Sequence, residues 1–475
     1  MAVGILGLAM VGCGGQRAER RGATVLYASG ADLQSINPLV TIHPLAKQVQ
    51  KFLLLTTLAR YDSALRPQPY LARGWSWSID RRVLTLLVRG DVRWHDGVPT
   101  TARDAAWTLA MARDPETGYP RLADLGDLGD VTAPDDTTLV LRFTHAQEAF
   151  PDVLSDLAIL PAHLLASVPP GAMRRADWNR RPVGNGPFRF VLHEPNRRWV
   201  FEANPEFPAA LGGAPALHRF VVVVVDEPTT KLAALTAGEL DVAGINPAHA
   251  AFVQRDPRLT VVDYPLLFTY GLVFNTRRPP FSDRTTRLAA TLAVDRAEIV
   301  AGYLFGFAVP ATGPVPPGTR GGVPGPTYPV APDSARHLLG GRRVPFELLT
   351  VGSGEAALEQ MLQARLGAVG FAVTIRQLEL TAFLDRVYGA RPDFDAAVLG
   401  IPGDPGLAYL GGLLALAGVT PVSDPAAAQR RFADSLPVAF LYHARGVQGM
   451  SRRLRGVTMD VRGELVTVAR WSVES

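Results

Sequence analysis

The run Val83–Val88, VLTLLV, is β-prone without a polar interruption larger than one threonine. It predicts a strand covered on both faces. Its surroundings follow a fixed order. Pro67, Pro69 and Gly74 punctuate an apolar-then-polar stretch before it, and Asp96-Gly97 after it supplies a turn that tolerates positive φ. Thr100 or Thr101 then stands ahead of Asp104 at the spacing that caps a helix starting near Ala102 and running over 102–113.

The same reading extends along the chain. It predicts a first strand over Ala23–Ala28, a helix over Ala46–Leu55, a strand over Thr138–Phe143 and helix over Ala149–Ser167. Phe190–Leu192 and Trp199–Glu202 read as a hairpin. Residues 221–245 read strand, turn, helix, strand, with Thr229 or Thr230 as the cap and Leu232, Leu235 and Leu240 at helical spacing. Phe346–Thr350, helix 355–368 and Phe371–Leu378 form a βαβ unit, with Leu358, Met361, Leu362, Leu366 and Val369 on one helical face. Leu436–Tyr442 reads as a late strand. The proline- and glycine-dense stretch 310–332 reads as an ordered irregular loop. This mixture of strands and helices makes the chain α/β.

At 475 residues the chain is too long for one core, so two or three domains are expected. The net charge of +4 rests on arginine, because only Lys47, Lys51 and Lys231 are lysines. The arginine clusters are short and separated by acids, which argues against a nucleic-acid footprint. Cys13 is the only cysteine, so no intrachain disulfide can form. It follows the uncharged apolar run 2–12, too short to span a bilayer but suited to the core of an export signal. Met10-Val11-Gly12-Cys13 resembles a lipobox, with Met in place of the usual Leu and no Lys or Arg ahead of the apolar run. Cys13 is the expected site of lipidation, and a plain signal peptide is the alternative.

Three motifs look like chemistry. Gly352-Ser353-Gly354-Glu355 sits between strand and helix like a phosphate loop, but lacks the Lys-Ser/Thr of one, so capping by Ser353 is expected. Gly184-Asn185-Gly186 precedes Pro187 and a strand, which fits a tight turn between domains. Trp94-His95-Asp96 suggests a metal or acid–base site, yet the nine histidines show no HxxxH or HExxH pairing, and His95 reads as a half-exposed hairpin residue. No GxSxG elbow is present. No catalytic residue, metal site or cofactor is assigned.

Taken together, Pro69–Ala72, Leu86–Gly90 and Trp94–Asp104 closely resemble a signature of the extracellular solute-binding proteins, family 5, of peptide- and nickel-type ABC importers. LQSINPL (33–39), Pro182–Phe188, Ala234–Asp241 and 274–300 resemble further phrases of that family. The resemblance implies a type II periplasmic-binding-protein fold, two lobes with an extra subdomain and a hinge. Lobe I would comprise 23–56, 183–269 and about 452–475, after a leader over 1–22. The subdomain would span 57–182, and lobe II 270–451. Such a protein captures a solute outside the membrane and delivers it to ABC permease subunits. It is expected to be an exported, lipid-anchored monomer that is no enzyme and binds no nucleic acid.

The resemblance also carries cleft positions onto Ser35, Ile36 and Asn37, Tyr119, Tyr270 and Asn275, and Leu399 through Asp404, including Gly400 and Ile401. Asn37 and Asn275 would serve equally as turn caps, and the two tyrosines as rim or core aromatics. Peptide-binding relatives carry an Asp three residues before the Asp-Pro step, for the peptide's α-amino group. Here Ile401 occupies that place ahead of Asp404-Pro405. A buried ammonium without a carboxylate is costly. So either Asp404 or Asp395 takes the role, or the ligand is a non-peptide solute such as a metal chelate, an opine or a sugar. A ligand-sensing regulator on this fold would need an N-terminal helix-turn-helix, for which 1–22 leaves no room.

Overall fold

The computed structural model describes residues 23–41, 43–389 and 391–474. The export signal and Cys13 therefore lie outside the described residues. One eleven-stranded sheet runs through both lobes in the order β15-β14-β16-β12-β17-β11-β1-β10-β9-β8, with β13 against β17. In lobe I, β1 (Thr24–Ser29) pairs in parallel with β10 (Arg219–Val224), and β9 (Arg198–Ala203) and β8 (Phe188–Glu194) follow antiparallel. In lobe II, β14 (Val344–Val351) pairs in parallel with β15 (Phe371–Leu378) and β16 (Ala396–Pro402).

Two long strands join the lobes. β12 (Leu259–Phe274) and β17 (Val438–Ser451) pair antiparallel along their length. Their register breaks between Pro265 and Thr269, opposite Arg445 and His443. On the lobe I side of that break β17 pairs with β11 (Val242–Gly244); on the lobe II side β12 pairs with β16 and β17 with β13 (Ala308–Pro310). The changeover on β17 thus falls near Ala444, so 445–451 extends the lobe I sheet, against the expected boundary at 451.

The subdomain is a four-stranded antiparallel sheet, β4 (Ala72–Trp77), β5 (Val83–Val88), β7 (Thr138–Phe143) and β6 (Leu128–Thr132), beside the small pair β2 (Ala59–Tyr61) and β3 (Pro67–Pro69). Helix Ala102–Arg113 covers one face; Thr101 and Asp104 form its capping box. β5 is therefore buried on one face only: Leu84, Leu86 and Val88 are inside while Leu87 is 40% exposed. Lobe I and the subdomain share one continuous core, from Val25 and Phe220 through Leu54 and Trp94 to Leu86 and Leu141. Trp471 packs against Phe220 in that core, which fastens the C-terminal segment to lobe I. The lobe II sheet instead has a core on each face, around Phe281 and Phe346 on one and Leu399, Ile401 and Leu414 on the other.

Several local expectations are corrected. Residues 149–167 hold only two helical turns, Val153–Asp156 and Ala162–Leu165, because Pro161 disfavours helix before it and lacks the amide to continue one. The first helix starts earlier, at Pro44, with His43 Nδ1 accepting from Ala46 N, and ends in a π turn, Gln50–Leu54. Glu227, not a threonine, caps Pro228–Thr236, its carboxylate reaching Thr229 N and Thr230 N. Helix Ala357–Gly367 begins beyond Ser353, which is exposed and caps nothing.

Candidate functional site

A cavity of about 780 Å³ lies between the subdomain and lobe II. Its subdomain wall comes from Arg121 to Leu128, from Leu141 and Phe143 on β7, and from Ala149 to Leu154. The lobe II wall comes from Asp404 through Gly411 and from Pro421 to Pro425. The lining mixes apolar side chains (Leu125, Phe150, Leu407, Val422) with carboxylates (Asp124, Asp127, Asp152, Asp404) and one guanidinium, Arg121. Solute-binding pockets are concave and combine apolar walls with placed polar groups; here the two kinds of surface are about equal.

The charged groups have defined partners. Asp152 accepts from the Tyr61 hydroxyl, and burial followed by that carboxylate pushes the Tyr61 pKa well up. Asp404 accepts from Ala408 N and Tyr409 N at 3.1 Å each, capping helix Tyr409–Ala417. Arg121 pairs with Asp124 at 2.5 Å and with Asp156 at 2.8 Å. Asp156 also meets Lys51 at 2.8 Å and Lys47 at 3.3 Å. Burial works against its charge, but the three cations outweigh burial and hold it well below the usual carboxylate range.

Of the expected cleft residues, Asp404 lines this cavity and the others are placed elsewhere. Tyr119 is buried and borders a pocket of about 10 Å³ with Thr41, Lys47, Gln50 and Asp156. Ile36 is in the lobe I core, and the half-buried Ser35 caps the turn by accepting from Asn37 N. Asn37 donates to Asn179 Oδ1 at 2.9 Å and accepts from Leu39 N. Asn275 donates to Phe394 O and accepts from Arg277 N. Both asparagines are thus turn caps. Leu399 and Ile401 pack into one lobe II core, while Tyr270 stacks on Tyr442 at 4.7 Å against the other. Gly400 admits Phe268: a Cβ there would sit 2.6 Å from its ring. Asp395 is committed to Arg278 and to Glu347 N, so it supplies no free carboxylate.

The Trp-His-Asp motif is an internal brace. Gly184 N donates to His95 Nδ1 at 3.2 Å, so the proton on Nε2 goes to Gly186 O at 3.0 Å. Burial holds this imidazole neutral, with its pKa down to about 4. Among the described residues no cluster of three or more His, Cys, Asp or Glu could hold a metal ion. The motif joins the subdomain turn to the return of the chain into lobe I, at β8.

Residues 66–413 match the sequence model of the bacterial extracellular solute-binding proteins, family 5 Middle. The chain belongs to this family. Di/tripeptide-binding protein 2 of Pseudomonas aeruginosa is 27% identical over 371 residues, covering 71% of this chain and 68% of that one. A Brucella ovis protein named as an ABC transporter peptide-binding protein is 26% identical over 348 residues, 70% of this chain. The match spans 65% of that relative's length. Among solved structures, the ABC transporter substrate-binding protein CtaP of Listeria monocytogenes superposes with a TM-score of 0.83 at 20% identity, over 96% of this chain and 100% of that one. The oligopeptide-binding protein AppA of Bacillus subtilis, in complex with a nonapeptide, gives 0.77 at 20% over 95% and 99%. The fold is that of the type II periplasmic-binding proteins.

For this family 5 protein, sequence reasoning missed Arg121, Asp152 and the loop Gly406–Gly411 as cavity residues, and Tyr61 as the donor behind Asp152. They come from segments far apart in the chain, and no local motif marks them. Asp152 was hidden inside a stretch read as continuous helix.

Proposed function

We propose that the protein is the exported solute-binding component of an ABC importer, taking a peptide or peptide-like solute between its lobes. The observation that carries this reading is the cavity of about 780 Å³ between two bodies joined through the β12–β17 pair and its register break. Hinge closure over a solute needs that arrangement and no covalent step. The peptide names of the relatives support the solute class. Delivery to permease subunits, a monomeric state and an anchor on Cys13 complete the proposal.

Ile401 favours a second reading, a solute without a free α-amino group. Its side chain is in the core, and both Asp404 oxygens already accept backbone amides. The test is native mass spectrometry of the purified protein against defined dipeptides, tripeptides and nonapeptides, each free and N-acetylated. The peptide reading expects peptide-bound species that survive dilution. Retention of free-amino forms alone removes the second reading, and retention of no peptide overturns the first.

A further inference from the structure

Asp152 and Asp404 face each other from opposite walls of the interlobe cavity. Asp152 stands on the subdomain, where Tyr61 donates to its Oδ1. Its Oδ2 meets the lobe II loop: a Cβ built on Gly406 would lie 2.4 Å from Asp152 Oδ2 and 3.3 Å from Asp404 Oδ1. The two carboxylate oxygens are therefore separated by on the order of 6 Å at most, where like charges repel strongly in a partly buried seam. Asp404 receives only neutral amides, from Ala408 and Tyr409. Arg121 is committed to Asp124 and Asp156. Among the described residues, no arginine or lysine reaches either carboxylate by hydrogen bond or ion pair.

We propose that closure of the lobes is proton-linked. Bringing the Asp404–Gly406 loop against Asp152 takes up one proton from solvent between the two carboxylates, so acid favours the closed cleft and alkali the open one. The reading rests on the cleft being the one that closes over solute. The groups facing Asp152 are the Tyr61 hydroxyl on β2, with the Ser155 hydroxyl behind it, Arg121 and Asp124 on the segment before β6, and Asp404 across the seam. Burial, opposed by the Tyr61 hydrogen bond and reinforced by Asp404, raises the Asp152 pKa in this arrangement. In the open form Asp404 withdraws and Asp152 gains solvent, so its pKa falls. A group whose pKa is higher in the closed form binds its proton on closing, and closure strengthens as pH drops through the raised value.

The test is small-angle X-ray scattering of the ligand-free protein from pH 8 down through the ordinary carboxylate range to pH 3.5, with circular dichroism confirming the fold at each point. The wild type is expected to contract on acidification. Asp152→Asn keeps the volume and the acceptor for Tyr61, and is expected to lose that pH dependence and stay contracted throughout. Asp404→Asn, which keeps one of the two acceptors for Ala408 N and Tyr409 N, is expected to behave alike, and it decides the matter if the first variant folds poorly. A wild type with constant dimensions, or variants that titrate as it does, overturns the proposal. No solute is added, so this outcome is independent of whether the natural ligand is a peptide.

Discussion

Gly184→Ala is expected to destabilise lobe I and the subdomain together. A Cβ on Gly184 would lie 2.0 Å from Leu54 O and 2.8 Å from the Leu54 side chain, so roughly 1 Å of backbone displacement is required. That displacement acts on a dense set of bonds. Leu54 O accepts from Asn185 N at 3.1 Å and Gly186 N at 2.8 Å, and His95 N donates to Gly184 O at 2.7 Å. Losing about two such bonds at about 1 kcal/mol each, with about 1–3 kcal/mol of overpacking strain, gives about 3–5 kcal/mol. For a body of this size that corresponds to a fall in Tm of roughly 10 °C. Gly90→Ala is the matched control, because nothing lies within 4 Å of a Cβ there. It is expected to change stability by less than about 1 kcal/mol. Thermal unfolding followed by circular dichroism at neutral pH compares the two. Melting of Gly184→Ala within about 2 °C of Gly90→Ala would refute the close-approach argument.

Two further outcomes follow from the buried charges. Burial holds His443 down to about 4, and its Nδ1 meets Thr269 Oγ1 at 2.9 Å beside the hinge. Its folded pKa lies below the unfolded value of about 6.5, so the unfolded chain takes the proton first. Stability is therefore complete above about pH 6.5 and falls toward about pH 4, by roughly 3 kcal/mol from this group. His443→Gln should remove that share of the difference in urea-unfolding free energy between pH 7 and pH 4.5, leaving the His95 share; an unchanged difference speaks against it. Asp156→Asn leaves Lys47, Lys51 and Arg121 facing an amide and should cost about 3–5 kcal/mol at pH 7. The Asp156 pKa is depressed in the fold, so its contribution is present above about pH 4 and lost on further acidification. A urea midpoint at pH 7 equal to wild type would show that the cluster is not a stabilising one.

The elements best legible in the sequence were those set by local chemistry. Helix Ala102–Arg113 has its capping box in the chain itself, β7 is a β-prone run through Leu139-Val140-Leu141, and the βαβ unit around Ala357–Gly367 has its apolar stripe. The long strands β12 and β17 were not legible over their full length. Their segments around Pro265 and 443–451 mix charged, glycine and apolar residues, and only the partner strand makes them extended. The cavity was least legible of all. Asp404 was found through its Asp-Pro neighbour, whereas Arg121 and Asp152 become cavity residues only when the subdomain and lobe II meet. The His95 motif looked chemical because its partners, the backbone of Gly184 and Gly186, carry no side-chain signal.

The continuous core under lobe I and the subdomain makes them a single lever, and the paired strands β12 and β17 make the pivot a ribbon instead of two separate tethers. A ribbon has one soft direction, the bend across its own register break, and resists shear and independent sliding of its strands. Relative motion of the two lobes is then motion along one coordinate, with Thr269 and His443 riveted together at its axis. A bulky side chain introduced at that axis would alter the rest angle of the jaws without touching the walls of the cavity between them.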